Sequence, residues 1–148
     1  MRSLKQQARI IETAANKSRL TETFLFDERW ERPTVDNTVY PLVNVWTDDF
    51  SIIDGMLTQP FEMLVVDYSE TDGTTRLQNL SDCQLLLLDI LTIIKQEVDE
   101  LGAPVIKIDK IGTARKVIDG ESNHATGWLV TFSLVQKYDR DYCEVPKN

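Results

Sequence analysis

The segment NLSDCQLLLLDILTIIKQEVDELGAP, residues 79–104, constrains the fold more than any other part of the chain. Leu87, Leu91, Ile94, Val98 and Leu101 recur at helical spacing, and Leu86, Ile90 and Ile93 widen the stripe. Ser81 with Gln84 three residues on has capping-box spacing, and Leu80 and Leu85 stand where a hydrophobic staple would close. Gly102 suits the left-handed position after a helix, and Pro104 follows as a stop. These signals predict a helix of about 20 residues, roughly 30 Å long. A stripe so broad organises the core around itself.

Strand patterns flank that helix. Residues 39–46 form a β-rich run in which Pro41, unable to donate to a ladder, belongs at the strand start or on a free edge. Residues 47–60 read as a hairpin-like connection into a strand over 61–69. There Phe61, Met63 and Val65 share one face, and Leu64, Val66 and Tyr68 the other. After the long helix, 105–111 turns Ile106 and Ile108 inward, and 127–138 turns Trp128, Val130, Phe132 and Leu134 inward. Gly112 to Gly127 reads as a long loop, a length commonly tied to function. At the start, Leu4, Ala8, Ile11 and Ala15 predict a first helix, whose continuation to Phe26 the residues leave open. The order helix, strand, strand, helix, strand, strand predicts an α+β fold: a mainly antiparallel sheet with two helices packed on it. One domain over 1–148 is expected, with 1–30 as the first helix and its exit and 136–148 as a tail packed on the domain or on a neighbouring subunit.

Charge and cysteine usage narrow the function classes. A formal net charge of −8 argues against a protein that grips phosphates through clustered cations. No apolar run approaches the length of a membrane span, and the first residues lack a signal-peptide core, so a cytoplasmic site of synthesis and no membrane partner are expected. Cys83 and Cys143 are expected as free thiols.

The residues offer little chemistry. The one histidine, His124, falls in a glycine-bearing loop and is read as a surface residue rather than a base. No phosphate-binding loop or spaced ligand set is present in the sequence, and no cofactor is expected. Asp48 and Asp49, with Asp54 nearby, present hard oxygen ligands for a divalent cation, yet adjacent aspartates are more often turn formers. A carboxylate pair of the glycosidase type has no local mark.

Contact surfaces are better signalled. On the last strand the face opposite Trp128 reads Leu129, Thr131, Ser133 and Val135, too apolar for a fully solvated face. A helix of the same chain and a neighbouring subunit are the two covers this face admits. Trp30, Tyr40 and Trp46 lie near predicted element ends, where aromatic anchors serve interfaces.

The order of elements, together with Tyr40-Pro41-Leu42-Val43, Gly127-Trp128, Asp139-Arg140-Asp141-Tyr142-Cys143 and Pro146, resembles the small tail-completion or tail-terminator-like neck proteins of tailed bacteriophages. The chain is most similar to those of phages of Bacteroidetes hosts, including crAss-like phages. The resemblance spans most of the chain as an architecture and about thirty residues as a pattern, the final segment being the more specific part. It implies a non-enzymatic virion protein of the neck or tail, assembled in the host cytoplasm as a closed hexameric or dodecameric ring. Adjacent portal, adaptor or tail proteins would be its partners, and DNA would pass through the lumen without specific binding.

A closed ring needs two different patches per subunit that meet head to tail. The sheet face 129–135 and the exit of the first helix are candidates, and Arg140, Tyr142 and Cys143 are expected to pin the tail at an interface. Asp48, Asp49, Asp54, Arg115 and Lys116 sit in expected projecting loops, facing the lumen or a neighbour. An acidic wall would repel rather than trap a passing duplex. Competing readings are a small cytoplasmic adaptor or regulator that binds one protein, and an enzyme built on carboxylates.

Overall fold

The computed structural model describes residues 2–18, 21–26, 40–68, 75–100, 106–118, 125–138 and Pro146, with the backbone alone at 98–100. The order is α1 (Leu4–Lys17), β1 (Thr23–Phe26), β2 (Leu42–Thr47), β3 (Ser51–Ile53), β4 (Met56–Tyr68), α2 (Arg76–Glu100), β5 (Lys107–Asp109), β6 (Arg115–Ile118) and β7 (Ala125–Lys137). The fold is α+β: two helices on one face of a mixed, mostly antiparallel open sheet. The order across the sheet is β1-β2-β4-β7-β5, with β3 on β4 and β6 on β7. Among the described strands, only β1 runs parallel to its neighbour, β2.

The capping box exists, but at α1 rather than where the sequence places it. The Ser3 hydroxyl accepts from the Gln6 N–H at 3.3 Å, and the Gln6 side chain accepts from the Ser3 N–H at 2.8 Å. Ser81, with the same spacing to Gln84, lies inside α2 and is exposed. The helix begins five residues earlier than Ser81, at Arg76, with Asn79 N–H donating to the Thr75 carbonyl at 2.9 Å. The Asn79 amide also donates to the Tyr68 carbonyl, tying the helix start to the end of β4. The staple expected of Leu80 and Leu85 therefore falls within the helix, and Leu85 is exposed. Gly102 and Pro104 lie outside the described residues.

Helix α1 stops at Ser18, and residues 23–26 form a strand instead of prolonging it. Phe24 and Phe26 alternate onto the core, where Phe26, Phe61 and Phe132 make a ring series with centroids 6.3 and 5.7 Å apart. The main core takes Ile11, Ala14 and Ala15 from α1, Leu86, Leu87, Ile90, Leu91 and Ile94 from α2, and the inner faces of β2, β4 and β7. Arg76–Glu97 is long and apolar enough by composition to cross a bilayer, contrary to the expectation from run length, and its inner stripe, Leu86, Leu87, Ile90, Leu91 and Ile94, packs on this core. Gln136, 1% exposed, ties the chain start to β7: it accepts from Arg2 N–H and donates to Arg2 C=O, both at 2.7 Å.

The segment read as a hairpin-like connection is a continuation of the sheet. Thr47 pairs with Phe61 and Ser51 with Thr58, so β2 and β3 span one residue more than the facing stretch of β4. The extra residue is a β-bulge at 48–50, which keeps β2 and β3 in one line along β4. The reversal comes later, at Asp54-Gly55, with φ of 52° and 74°, the left-handed pair that a two-residue hairpin requires. Strand β4 consequently starts at Met56, not Phe61, and pairs with β7 along all thirteen of its residues. On the far side of β7, β5 and β6 behave the same way: Asp109 pairs with Ser133 and Arg115 with Leu129. The expected long loop thus contains a strand, and its start is held by Gly112 N–H donating to Thr131 C=O at 2.7 Å.

Candidate interaction surface

The outer face of the sheet, away from both helices, carries its own small core. Leu42, Leu64, Val66 and Ala125 are buried there, with Tyr40, Trp46, Val117 and Leu129 packed against them. Of the predicted contact residues on β7, Ser133 is buried and Leu129, Thr131 and Val135 are half-buried. Neither helix supplies their cover, since both pack on the opposite face. Trp46 and Tyr40, expected as anchors for a neighbour, pack within this face, and the Trp46 indole N–H donates to the Glu62 carboxylate. Glu62, Gly112, Thr113, Arg115, Leu129 and Thr131 line a shallow cleft of about 260 Å³ beside them. Trp30, Arg140, Tyr142, Cys143 and His124 lie outside the described residues.

The charged loop candidates sort onto opposite edges of the sheet. Asp48 and Asp49 occupy the bulge and Asp54 the hairpin turn, all exposed. Asp48 is held by its backbone, N–H to the Pro60 carbonyl at 3.1 Å and C=O accepting from Gln59. Arg115 and Lys116 open β6 on the other edge and are exposed. The three aspartates sit on a bulge and a tight turn instead of a loop, and among the described residues no acidic, histidine or cysteine group is clustered as a metal site.

Exposed apolar side chains concentrate on the acidic edge. Phe50 is 62%, Ile52 50% and Ile53 63% exposed, and Met56 begins the return strand beside them. The sequence signal for this was Asp-Gly between alternating apolar residues, the strongest short hairpin cue, which the neighbouring aspartates obscured. A second apolar stripe, Leu77, Leu85 and Leu88, runs along the outer side of α2.

One cleft of about 310 Å³ gathers groups that sequence spacing kept apart: Pro41, Asp67, Asp82, Cys83 and Leu86. The Cys83 thiol is pushed up to about 12, first by burial and then by Asp67 and Asp82, and it faces the Thr126 carbonyl at 3.6 Å. It is protonated at neutral pH and inert as a nucleophile. Asp67 is raised from its ordinary value, mainly by burial and further by Asp82, against a backbone N–H from Tyr68 at 2.7 Å. These two carboxylates belong to the end of β4 and the second turn of α2, fifteen residues apart, so no local pattern announces them.

No protein-family model matches the chain, and a search among curated proteins finds no match.

Proposed function

We propose that the protein is a structural subunit of a tailed-phage neck or tail, assembling with copies of itself into a closed ring of the tail-terminator type around a DNA passage. The observation that carries this reading is the hairpin β3–β4, whose outer edge no strand pairs among the described residues and which holds Phe50, Ile52 and Ile53 at half exposure or more. An apolar, unpaired edge strand is a liability unless another chain covers it. The resemblance of the terminal segment supplies the class, and the acidic composition suits a wall past which DNA slides. A single-partner adaptor is the second reading, favoured by the exposed Leu77, Leu85 and Leu88 stripe on α2, which fits a helix-docking partner.

Sedimentation of the purified chain, with negative-stain images, tests the proposal. A species whose mass is a multiple of 17.0 kDa and whose particles are annular is expected. A strict monomer at the high concentrations found in virions would defeat the ring reading and leave the adaptor.

A further inference from the structure

We infer that the shallow cleft on the outer face of the sheet, beside Trp46 and under the connection from β5 to β6, binds a small zwitterion of the amino-acid class, its ammonium on Glu62 and its carboxylate on Arg115. The inference goes beyond the ring reading and does not depend on it.

The strand register builds the cleft. Trp46, Glu62 and Thr131 stand side by side on β2, β4 and β7, and Leu64, Leu129 and Arg115 form the next row on β4, β7 and β6. Cross-strand partners share a face, and Leu64 and Leu129 belong to the outer core, so both rows point outward. Leu129 and Thr131 make the floor, with Glu62 on one side and Thr113 and Arg115 on the other, two strand spacings or about 10 Å across. Gly112 holds that far wall against β7: its N–H donates to the Thr131 carbonyl at 2.7 Å, and a Cβ added there would sit 3.4 Å from the same oxygen. At about 260 Å³ the cleft falls below the roughly 300–1,000 Å³ of drug-sized pockets, so its occupant is small.

The polar groups of the cleft converge without partners. Oε2 of Glu62 accepts from the Trp46 indole N–H, which orients the carboxylate and leaves Oε1 for a ligand. Among the described residues, the Arg115 guanidinium and the Thr113 and Thr131 hydroxyls make no hydrogen bond, and neither Glu62 nor Arg115 is in an ion pair. One carboxylate and one guanidinium on a shared cleft select by charge. A simple anion is drawn to Arg115 but repelled by Glu62, and a simple cation meets the reverse. A neutral polyol answers both, but with hydrogen bonds about half as strong as charge-assisted ones. A ligand that carries an ammonium and a carboxylate a short distance apart gives each protein charge its opposite, and the guanidinium fork suits a bidentate carboxylate. The threonine hydroxyls lie between, where they can donate to that carboxylate or accept from the ammonium.

Calorimetric titration of the full chain with glycine, β-alanine and γ-aminobutyrate, against acetate and methylammonium, tests the inference. One of the zwitterions is expected to bind about tenfold or more tightly than either single charge, and to shift the Trp46 indole N–H resonance, assigned by its loss in Trp46→Phe. Glu62→Gln keeps an acceptor for Trp46, and Arg115→Gln changes an exposed residue, so the fold survives in at least the latter. Each is expected to weaken that zwitterion about tenfold or more. Acetate or methylammonium bound as tightly, or an affinity that Arg115→Gln leaves unchanged, overturns the assignment. Absence of binding by every zwitterion overturns it as well, and the ring reading is then untouched, because that reading rests on the mass found by sedimentation.

Discussion

The side-chain amide of Gln59 donates to the carbonyl of Asp48 at 2.9 Å and to that of Pro60 at 3.0 Å, filling a place in the ladder that Pro60 leaves vacant. Asp48 N–H reaches the Pro60 carbonyl at 3.1 Å, but proline has no N–H to return to Asp48. A proline in a central strand is tolerated because it faces the bulge, and the neighbouring side chain supplies the missing donor. This arrangement aims β3 and its exposed edge.

Gln59→Leu keeps the volume and removes that donor, leaving the Asp48 carbonyl unsatisfied. A loss of about 1–3 kcal/mol in urea unfolding is expected, with faster hydrogen exchange confined first to 51–53. A variant as stable as the parent, with unchanged exchange there, would show that the bulge holds without Gln59.

Two glycines separate crowding from conformation. A Cβ on Gly127 would lie 1.8 Å from the Val65 carbonyl oxygen, so Gly127→Ala must push β7 away from β4. At Gly55 the added carbon meets nothing within 4 Å, but φ is +74°. Gly127→Ala is expected to cost about 3 kcal/mol or more, and Gly55→Ala about 1–2 kcal/mol from the left-handed backbone alone. Denaturant midpoints for both variants check the order, and equal costs would contradict it.

Which parts of this fold were legible depends on how local their cause is. The inner faces of β4, β7 and α2 follow from periodicity, because burial selects the same side at every step. The start of α2 does not, because Asn79 extends the helix backward by bonding to Tyr68, a contact between elements. Ser81–Gln84 and Ser3–Gln6 present the same motif, and only the latter lies at a helix start, where the N–H groups need capping. The bulge at Asp48 shifts the alternation by one residue, so the run 42–53 reads as a strand and a turn. Asp48 and Arg115 were both marked as contact residues, yet that they stand on opposite edges with opposite charge emerges only from the pairing of five strands through β4 and β7.

Asp67 gives a pH test. Its folded pKa lies above the ordinary 3.8, with burial the largest cause and Asp82 a further one. The folded chain therefore holds the proton more tightly than the unfolded chain. Below pH 3.8 the group is protonated in both states, and stability falls as pH rises through the raised folded value. Asp67→Asn, which keeps an oxygen for the Tyr68 N–H, is expected to stabilise the protein at pH 7, with the gain shrinking toward zero as pH approaches 3.8. Urea unfolding across that range measures it. A gain independent of pH would assign the effect to packing instead of ionisation.

Asn44 sits on β2 between Leu25 of β1 and Leu64 of β4, fully buried, and among the described residues neither its amide nitrogen nor its oxygen has a hydrogen-bond partner. Its neighbours on that face are Leu42 and Trp46 along its own strand, so the amide is desolvated against apolar carbon. A buried polar group without a partner costs about 1–3 kcal/mol, whereas an apolar group of the same shape costs nothing of that kind. Asn44→Leu is therefore expected to raise the unfolding free energy of the isolated chain by about 1–3 kcal/mol, and Asn44→Asp to lower it, since ionising the side chain there adds a charge with no counterpart. Thermal and urea unfolding of both variants measure the signs. Loss of stability in Asn44→Leu would mean that the amide is satisfied in the folded chain and that the outer face is organised around it.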